Sequence, residues 1–320
     1  MDEEYVIEVS GLTKRFGSFT AVRDLDIKVK KGEFMGLLGP NGSGKSTALK
    51  MMTGLIWPTS GKVLINGQDI ADHREALSKV GCVIETPEFY LSFTPSEALQ
   101  YVGRIYGLSE REIAIRARDT LEEVRMWEWR DKPINKFSKG MRQRTMLAQS
   151  MLSNPDILML DEPTSGLDPR GMIEMRAVLS ELKKRVTSML ISTHMLKEVS
   201  EMCESVTMIR EGRTIASGDV NALIREYVDR SKGRVELSIR TAEPVTNALY
   251  TDITACTGAM DVSRMGDYEI RVSFRGSNDD QAEIVNMVQR HGLRLVAMNE
   301  KGLDLEKLYM ELTEGKVNVK

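Results

Sequence analysis

The chain reads Gly39-Pro40-Asn41-Gly42-Ser43-Gly44-Lys45-Ser46 directly after the short apolar run Phe34–Leu38, and a helical pattern continues to about Thr53. This octapeptide matches the pattern GxxxxGK(S/T) between a strand and a helix, which is typical of a phosphate-binding loop. Glycines let the backbone curl so that consecutive N–H groups point at one phosphate, and the dipole of the following helix strengthens the attraction. Lys45 can reach the β- and γ-phosphates of a nucleotide, and the Ser46 hydroxyl can bind Mg²⁺.

A second polar site follows another buried strand. The apolar run Ile157–Leu160 ends at Asp161 and Glu162. Because ligands bind at the carboxyl ends of strands in an open α/β sheet, both carboxylates are expected beside the phosphate loop. Asp161 can supply the acidic ligand that Mg²⁺ needs next to ATP, and Glu162 can position or deprotonate an attacking water. Acidic residues after a strand also occur as solvated loop entries, but next to a phosphate loop they favour a hydrolytic site.

The composition is that of an ordinary globular protein. The chain has 320 residues, of which 41% are hydrophobic and 28% are charged, with a formal net charge of −3. No apolar run reaches the roughly 18 residues of a membrane-spanning helix. The acidic start Met1-Asp2-Glu3-Glu4 fits neither a secretory signal nor a transit peptide. Cys82, Cys203 and Cys256 are far apart and outside any metal-binding spacing, which favours a reducing cytoplasm. The mildly acidic balance argues against a nucleic-acid partner.

Hydrophobic periodicity and turn signals predict an α/β fold with a mainly parallel sheet, preceded by N-terminal strands. The apolar residues Leu25, Ile27 and Val29 alternate with charged ones, and Asn66-Gly67 predicts a hairpin turn. Capping signals at Thr94 and Ser109 begin a mostly helical insert over about residues 90–153. Strands and helices then alternate, at Ile157–Leu160, from Asp168-Pro169 onward, and at Ser188–Ser192, Met195–Met202 and Val206–Ile209.

A composition change predicts a domain boundary. The stretch Val228–Arg234 is polar and charged, so we predict a first domain over residues 1–228 and a second over residues 233–320. Strand and helix patterns in the second domain follow the order βαββαβ, which is typical of a small α+β ferredoxin-like fold. A last helix is expected at Leu303–Leu312.

Four further motifs add a family resemblance. Phe137-Ser138-Lys139-Gly140-Met141 is similar to an LSGGQ signature, and Ser165-Gly166-Leu167-Asp168 is similar to a D-loop. His194 follows the strand Ser188–Ser192 as a switch histidine does, and Phe16 lies where an aromatic ring stacks on adenine. With the two sites above, residues of about 4–225 resemble the nucleotide-binding subunits of ABC transporters. The resemblance implies a P-loop NTPase fold of ABC type, with N-terminal antiparallel strands and a helical insert.

The resemblance also implies a set of site residues, with ATP and Mg²⁺ as ligands. Nucleotide contacts are expected from Phe16, Gly39, Pro40, Asn41, Gly42, Ser43, Gly44, Lys45, Ser46, Thr47, Ser138, Gly140 and Asp168. Catalytic roles are expected for Lys45, Glu162 and His194. Ligands of Mg²⁺ are expected at Ser46, Glu85 and Asp161.

Four of these residues also have a structural interpretation. Ser138 and Asp168 are good N-caps for the helices that follow them. Taken alone, His194 is more often a structural histidine, and Phe16 is more often a packing residue. The order and spacing of the motifs favour the functional interpretation.

The partners implied by the resemblance are a second ATPase chain and a separate membrane permease. In a head-to-tail dimer of identical or paired subunits, Ser138 and Gly140 of one chain complete the site of the other, where a helix N-terminus favours the γ-phosphate. The protein would then lie in the cytoplasm, peripherally on the inner face of the cell membrane.

Two departures from the family pattern bear on the substrate. The signature has Lys139 and Met141, and Glu85 replaces the Q-loop glutamine after the strand Val80–Ile84. The string Val83–Tyr90 resembles ATPases of bacitracin and lantibiotic self-protection. The second domain resembles the accessory domain of drug, lantibiotic and sodium exporter ATPases, where it would serve dimerisation or ligand sensing. We therefore expect export of a drug, a peptide antibiotic or a lipid-like molecule; the alternative is an ABC ATPase without a transporter, as in iron–sulfur cluster assembly.

Overall fold

The structure, a computed structural model, describes residues 4–84, 92–230, 235–256, 258–275, 278–301 and 305–313. It divides into two compact units, the first ending at Val220 and the second beginning at Asn221. The strands and helices of the first unit are β1 (Tyr5–Phe16), β2 (Phe19–Lys30), β3 (Phe34–Leu38), α1 (Lys45–Met52), β4 (Ser60–Ile65), β5 (Gln68–Asp69), β6 (Val80–Val83), α2 (Pro95–Ile105), α3 (Glu110–Glu123), α4 (Lys139–Met151), β7 (Ile157–Asp161), α5 (Pro169–Leu182), β8 (Ser188–Thr193), α6 (Leu196–Met202), β9 (Ser205–Arg210) and β10 (Arg213–Asp219).

The N-terminal strands form an antiparallel sheet in the order β2-β1-β4-β5. The predicted alternation is confirmed in β2, where Leu25, Ile27 and Val29 are buried and the residues between them are exposed. Asn66 and Gly67 connect β4 to β5 with positive φ angles of 49° and 76°. Two consecutive positive φ angles are those of a tight hairpin turn, which asparagine and glycine adopt at low cost.

The second sheet of this unit has six strands in the order β10-β9-β3-β8-β7-β6. Neighbouring strands from β9 to β6 run parallel, and β10 pairs antiparallel with β9. The strands β3, β8 and β7 are adjacent, so their carboxyl ends meet at one edge. This edge holds the phosphate loop after β3, His194 after β8 and Glu162 after β7.

Helices α2, α3 and α4 form the predicted helical insert. Both predicted capping boxes are present: Thr94 exchanges hydrogen bonds with Glu97 at the start of α2, and Ser109 does so with Glu112 at the start of α3. Each device satisfies backbone N–H groups that the first helical turn leaves unpaired. Buried apolar side chains of the three helices pack in one cluster with β7 and β8.

The second unit contains α7 (Val220–Arg230), β11 (Val235–Thr241), α8 (Asn247–Thr254), β12 (Ala259–Arg264), β13 (Glu269–Phe274), α9 (Asn278–Arg290), β14 (Leu295–Lys301) and α10 (Leu305–Thr313). Its antiparallel sheet has the order β12-β13-β11-β14. Together with the chain order βαββαβ, this arrangement confirms the predicted ferredoxin-like fold. Apolar residues of the sheet, α8 and α9 form its core.

The two units divide eight residues before the predicted end of the first domain, at the start of α7. Helix α7 is not predicted by the sequence pattern, and the polar stretch Val228–Arg234 that predicts the boundary overlaps the last three residues of this helix. The compact units instead separate where the chain leaves β10. The domain limits 1–228 and 233–320 stay a prediction.

Candidate active site

The phosphate loop borders a cleft of about 300 Å³. The lining residues are Phe19, Ala21, Asn41, Gly42, Gly44, Lys45, Ser46, Thr47 and Glu162. Gly44 has a φ angle of 106°, and a Cβ atom there would lie 2.6 Å from the carbonyl oxygen of Ala21. A side chain at this position would therefore require the loop to move away from β2.

Lys45 lies at the floor of this cleft, with only 4% of its surface exposed. Its ammonium donates to the carbonyl oxygens of Gly39 at 2.8 Å and Pro40 at 3.1 Å, and it lies 3.2 Å from the Glu162 carboxylate. Buried cations are stable when they are paired in this way. The loop carbonyls and Glu162 thus fix the position of the Lys45 ammonium at the cleft.

Two backbone contacts from distant segments fix the loop. The Gly212 N–H donates to the carbonyl oxygen of Ser43 at 2.9 Å, and the Gly39 N–H donates to that of Thr193 at 3.2 Å. Gly212 lies in the turn between β9 and β10 with a φ angle of 75°. This turn is not among the predictions from sequence, although a glycine directly after a strand pattern, as at Gly212, is a turn signal.

Asp161 and Glu162 are held by Ser192, a residue of β8 that the sequence analysis did not assign to the site. The Ser192 hydroxyl donates to Asp161 Oδ1. The Glu162 N–H lies 3.1 Å from the Ser192 carbonyl oxygen and 3.0 Å from its hydroxyl. Glu162 has a φ angle of 44°, a conformation that costs a non-glycine residue on the order of 1 kcal/mol. The Ser192 contacts stabilise this strained residue, which lines the cleft.

The Glu162 carboxylate meets two catalytic candidates. One oxygen lies 3.2 Å from Lys45 Nζ, and the other lies 3.1 Å from His194 Nδ1. Partial burial by itself raises the pKa of Glu162, but the hydrogen bond and charge of Lys45, with hydrogen bonds from Ser165 and His194, outweigh burial and lower the pKa below its ordinary value. Glu162 is therefore a carboxylate at neutral pH, as a proton acceptor must be.

Ser138 and Asp168 have the structural role that their position suggests. Ser138 accepts a hydrogen bond from the Met141 N–H at 3.3 Å and caps α4, and Asp168 accepts one from the Gly171 N–H at 3.2 Å and caps α5. Neither residue lines the cleft of its own chain. Their expected contact with ATP stays a prediction.

The signature-like segment and the D-loop-like segment lie against each other. A Cβ atom on Gly166 would lie 2.5 Å from Lys139 Nζ, and one on Gly140 would lie 3.6 Å from Leu167. The glycine at position 166, with a φ angle of 67°, leaves room for the lysine that replaces a signature glycine. This departure from the family pattern is thus accommodated within the chain.

The aromatic ring at the cleft is that of Phe19, not that of Phe16. The two phenylalanines are cross-strand neighbours at the turn between β1 and β2. Phe19 is 63% exposed and lines the cleft. Phe16 is 52% exposed, and the Lys14 ammonium lies 5.1 Å from the centre of its ring. Adenine stacking by Phe16 stays a prediction, which the geometry favours less than stacking by Phe19.

We expect Phe19→Ala to raise the Kd for ATP by about 5- to 150-fold, because stacking of a base on an aromatic ring contributes about 1–3 kcal/mol. Phe16→Ala is the matched control and should change the Kd by less than about threefold. Titration of both variants by calorimetry distinguishes the two rings. A larger loss for Phe16→Ala would restore the original assignment.

The oxygen donors of the site fit Mg²⁺. Magnesium is usually held by one or two carboxylates, together with substrate phosphates and water. Ser46 offers a hydroxyl at the cleft, and Asp161, the residue before the cleft-lining Glu162, offers a carboxylate that borders a second, smaller pocket. The described residues contain no cluster of three or more His, Cys, Asp or Glu side chains that would suit an all-protein metal site. Glu85, the third predicted ligand, lies outside the described residues.

Comparison with known proteins gives a consistent result. A family profile described as "ABC transporter" matches residues 22–165. The bacitracin transport ATP-binding protein BcrA of Enterococcus faecalis is 34% identical over 98% of this chain and 97% of its own length. The Nod factor export ATP-binding protein I of Burkholderia lata is 37% identical over 96% of both chains. The solved structure of cbiO1 from Clostridium perfringens, part of the ABC transporter complex cbiONQ, has a TM-score of 0.62 and 30% identity over 71% of this chain and 96% of its own.

A phosphate loop, an acidic strand end and a histidine at one edge of a parallel sheet define a P-loop ATPase. The helical insert and the comparisons specify its type, and the chain belongs to the ABC transporter family as an ATP-binding and ATP-hydrolysing subunit. The predicted family, fold class and ATPase activity are confirmed. None of the relatives named above is an iron–sulfur assembly protein. In the part of the chain that the structure describes, no helix has the length and hydropathy needed to cross a membrane.

Proposed function

We propose that this chain is the ATPase subunit of an exporter, in which hydrolysis of MgATP drives a separate membrane permease. The contact of the Glu162 carboxylate with both Lys45 and His194 at the cleft carries the hydrolytic part of the proposal. The name of one relative, for Nod factor export, supports the direction of transport, and that of another, for bacitracin transport, supports the substrate class. The proposed substrate is a drug, a peptide antibiotic or a lipid-like molecule, and the proposed location is the inner face of the cell membrane.

The residues around the cleft divide the work of hydrolysis. The loop N–H groups and Lys45 hold the phosphates of ATP, and phosphate oxygens compete with Glu162 for the Lys45 ammonium. Glu162, released from this ion pair, accepts a proton from the attacking water while His194 orients its carboxylate. Ser46 and Asp161 would hold Mg²⁺, which neutralises phosphate charge when bound.

A head-to-tail dimer, of identical chains or of paired subunits, is part of the proposal. Ser138 is exposed and begins the 13-residue helix α4, whose N-terminus attracts anions. Because Ser138 and Gly140 do not line the cleft of their own chain, a role at the γ-phosphate requires a second chain. ATP then joins the two subunits, and hydrolysis releases them.

Helix α2 offers the permease an apolar surface, which we call the α2 surface and define by Tyr101 and Ile105. These side chains are spaced four residues apart, so they lie on one face of the helix. Tyr101 is 47% exposed and Ile105 is 64% exposed. Adjacent large apolar side chains on a polar helical insert are typical of a surface that a partner covers. We propose that the permease contacts the protein here.

A charge on the α2 surface tests the permease partner. We expect Ile105→Glu to remove co-purification with the proposed permease, sought as a multi-helix membrane protein among the products of the neighbouring genes, while kcat of the isolated subunit stays within about twofold of wild type, since a surface substitution has small effects elsewhere. Ile115→Glu is the matched control, because Ile115 on α3 is 52% exposed in the same insert. Undiminished co-purification of Ile105→Glu would place the permease elsewhere. A wild-type subunit that hydrolyses ATP and never associates with that membrane protein would overturn the transport proposal.

A further inference from the structure

Helix α6 carries a buried carboxylate to which the proposed mechanism gives no role. Glu198 is 3% exposed. The structure records hydrogen bonds to it from two hydroxyl groups, and no ion pair with a lysine or arginine of the described segments. A buried carboxylate is costly unless its oxygens accept hydrogen bonds. We therefore expect the buried Glu198 carboxylate to have a role other than filling the core.

The two oxygens of Glu198 bind residues from two different strand ends. Oε1 accepts a hydrogen bond from the Thr164 hydroxyl, and Oε2 accepts one from the Thr193 hydroxyl at 2.6 Å. Thr164 lies two residues after Glu162, and Thr193 directly precedes His194. Both threonines are buried, at 3% and 4% exposure. One carboxylate thus links the segment after β7 to the end of β8.

This link is a second connection between the two segments that carry Glu162 and His194. Ser192 holds the backbone of Glu162 itself, whereas Glu198 joins Thr164, which follows Glu162, to Thr193, which precedes His194. The Met195 N–H also donates to the Thr193 hydroxyl, at 3.0 Å, which fixes the chain beyond His194. The hydrogen bonds of Ser192 and of Glu198 therefore both bear on the separation of Glu162 and His194.

We propose that Glu198 is a positioning residue for hydrolysis: its carboxylate holds the segments of Glu162 and His194 at the spacing at which these side chains meet. The inference rests on the proposed roles of Glu162 and His194. A misplacement of catalytic groups by about 1 Å can cost about 100-fold in rate. Glu198 does not line the cleft, and the phosphate loop contacts Thr193 through its backbone carbonyl, whereas Glu198 binds the Thr193 hydroxyl. We therefore expect the effect on turnover and not on nucleotide binding.

The side-chain chemistry predicts that glutamine can replace Glu198. Both threonine hydroxyls donate to the carboxylate, and the Thr193 hydroxyl already accepts from the Met195 N–H. A glutamine oxygen can accept from Thr193, while its N–H group donates to the Thr164 hydroxyl. Alanine removes both links, so the two threonine hydroxyls lose the acceptor to which they donate.

The test compares Glu198→Ala, Glu198→Gln and the control Glu201→Ala, a surface carboxylate of the same helix that pairs with Arg176. We expect Glu198→Ala to lower kcat by about 10- to 100-fold with KM for ATP within about twofold, as for a lost interaction made only in the transition state. Glu198→Gln should stay within about threefold of wild type, and Glu201→Ala should match wild type. If Glu198→Ala does not fold, two other variants test the same proposal. Thr164→Val removes the hydrogen bond to Oε1 of Glu198, and Thr193→Val removes the hydrogen bond to Oε2.

Repeating the substitution in the His194→Ala variant distinguishes a positioning role of Glu198 from a general disturbance of the fold. In His194→Ala, the contact that Glu198 holds is already absent, so adding Glu198→Ala should lower kcat by less than about threefold. The chain has three histidines, so the His194 ring signals can be assigned by difference. They should move in Glu198→Ala and stay in place in Glu198→Gln. Equal losses in both backgrounds, or unmoved ring signals, would overturn the inference. Wild-type turnover of His194→Ala alone would instead overturn the proposed role of His194.

Discussion

Glu162→Gln is expected to lower kcat for ATP hydrolysis by about 10²–10⁴-fold, the range that loss of a general base produces. An amide is nearly the same size as a carboxylate and keeps hydrogen bonds to its surroundings, but it cannot accept a proton from water. The Glu162 carboxylate competes with phosphate for the Lys45 ammonium, so its replacement by an amide should not weaken the hold of Lys45 on the phosphates. Affinity for ATP should therefore be kept, and a dimer with ATP should accumulate because hydrolysis no longer releases it.

Single-turnover kinetics and calorimetric titration with ATP measure the two halves of this prediction. Size-exclusion chromatography with and without ATP measures the dimer. Glu122→Gln, at an exposed glutamate that pairs with Arg118 on α3, is the matched control and should behave as wild type. Turnover of Glu162→Gln at the wild-type rate would show that another group accepts the proton.

Mixing two inactive variants should restore activity if the sites are shared between chains. Ser138→Arg places a long cation at the start of α4, and Lys45→Ala removes the buried ammonium of the cleft. Each variant alone should be nearly inactive, because both sites of a symmetric dimer carry the same defect. In a heterodimer one site has an intact Lys45 and faces an intact Ser138. Half of the dimers in an equal mixture are heterodimers with one working site, so about a quarter of wild-type activity should return.

The control for this experiment mixes Lys45→Ala with Glu162→Gln. Lys45 and Glu162 line the same cleft, so each site of that heterodimer has one defect and no activity should return. Loss of the Ser138 cap costs only about 0.5–2 kcal/mol, and thermal unfolding checks that the variant is folded. Absence of recovery across mixing ratios, with heterodimers shown to form, would mean that each chain hydrolyses ATP without the other.

Short-range features of this protein could be predicted from sequence because their physical causes span few residues. The octapeptide Gly39–Ser46 forms the predicted loop, since its glycines and the adjoining helix lie within one segment. The capping boxes at Thr94 and Ser109 depend on residues three positions apart. The turn at Asn66-Gly67 depends on two residues that adopt positive φ angles easily. The strand and helix patterns after Val235 are also local, and their order predicted the ferredoxin-like fold.

Only some of the site residues could be identified from the sequence. Asp161 and Glu162 were predicted at the sheet edge because a buried strand must end where its side chains become polar. Their partner Ser192 was not predicted, since a serine inside a buried strand has no distinguishing pattern. Phe16 and Phe19 have identical side chains, so the sequence alone does not show which ring faces the cleft. Only the register of β1 and β2 places one ring, that of Phe19, at the cleft.

By itself, the sequence determined the class of enzyme, the local shape of the phosphate loop and the identity of Lys45, Asp161 and Glu162. Tertiary structure alone decided which distant residues meet them. The strand order places β8 between β3 and β7, and this order brings Thr193 to the phosphate loop and Glu198 to Thr164. Contacts of this kind join segments that are far apart in the chain, so they depend on how whole strands pack and not on any local pattern.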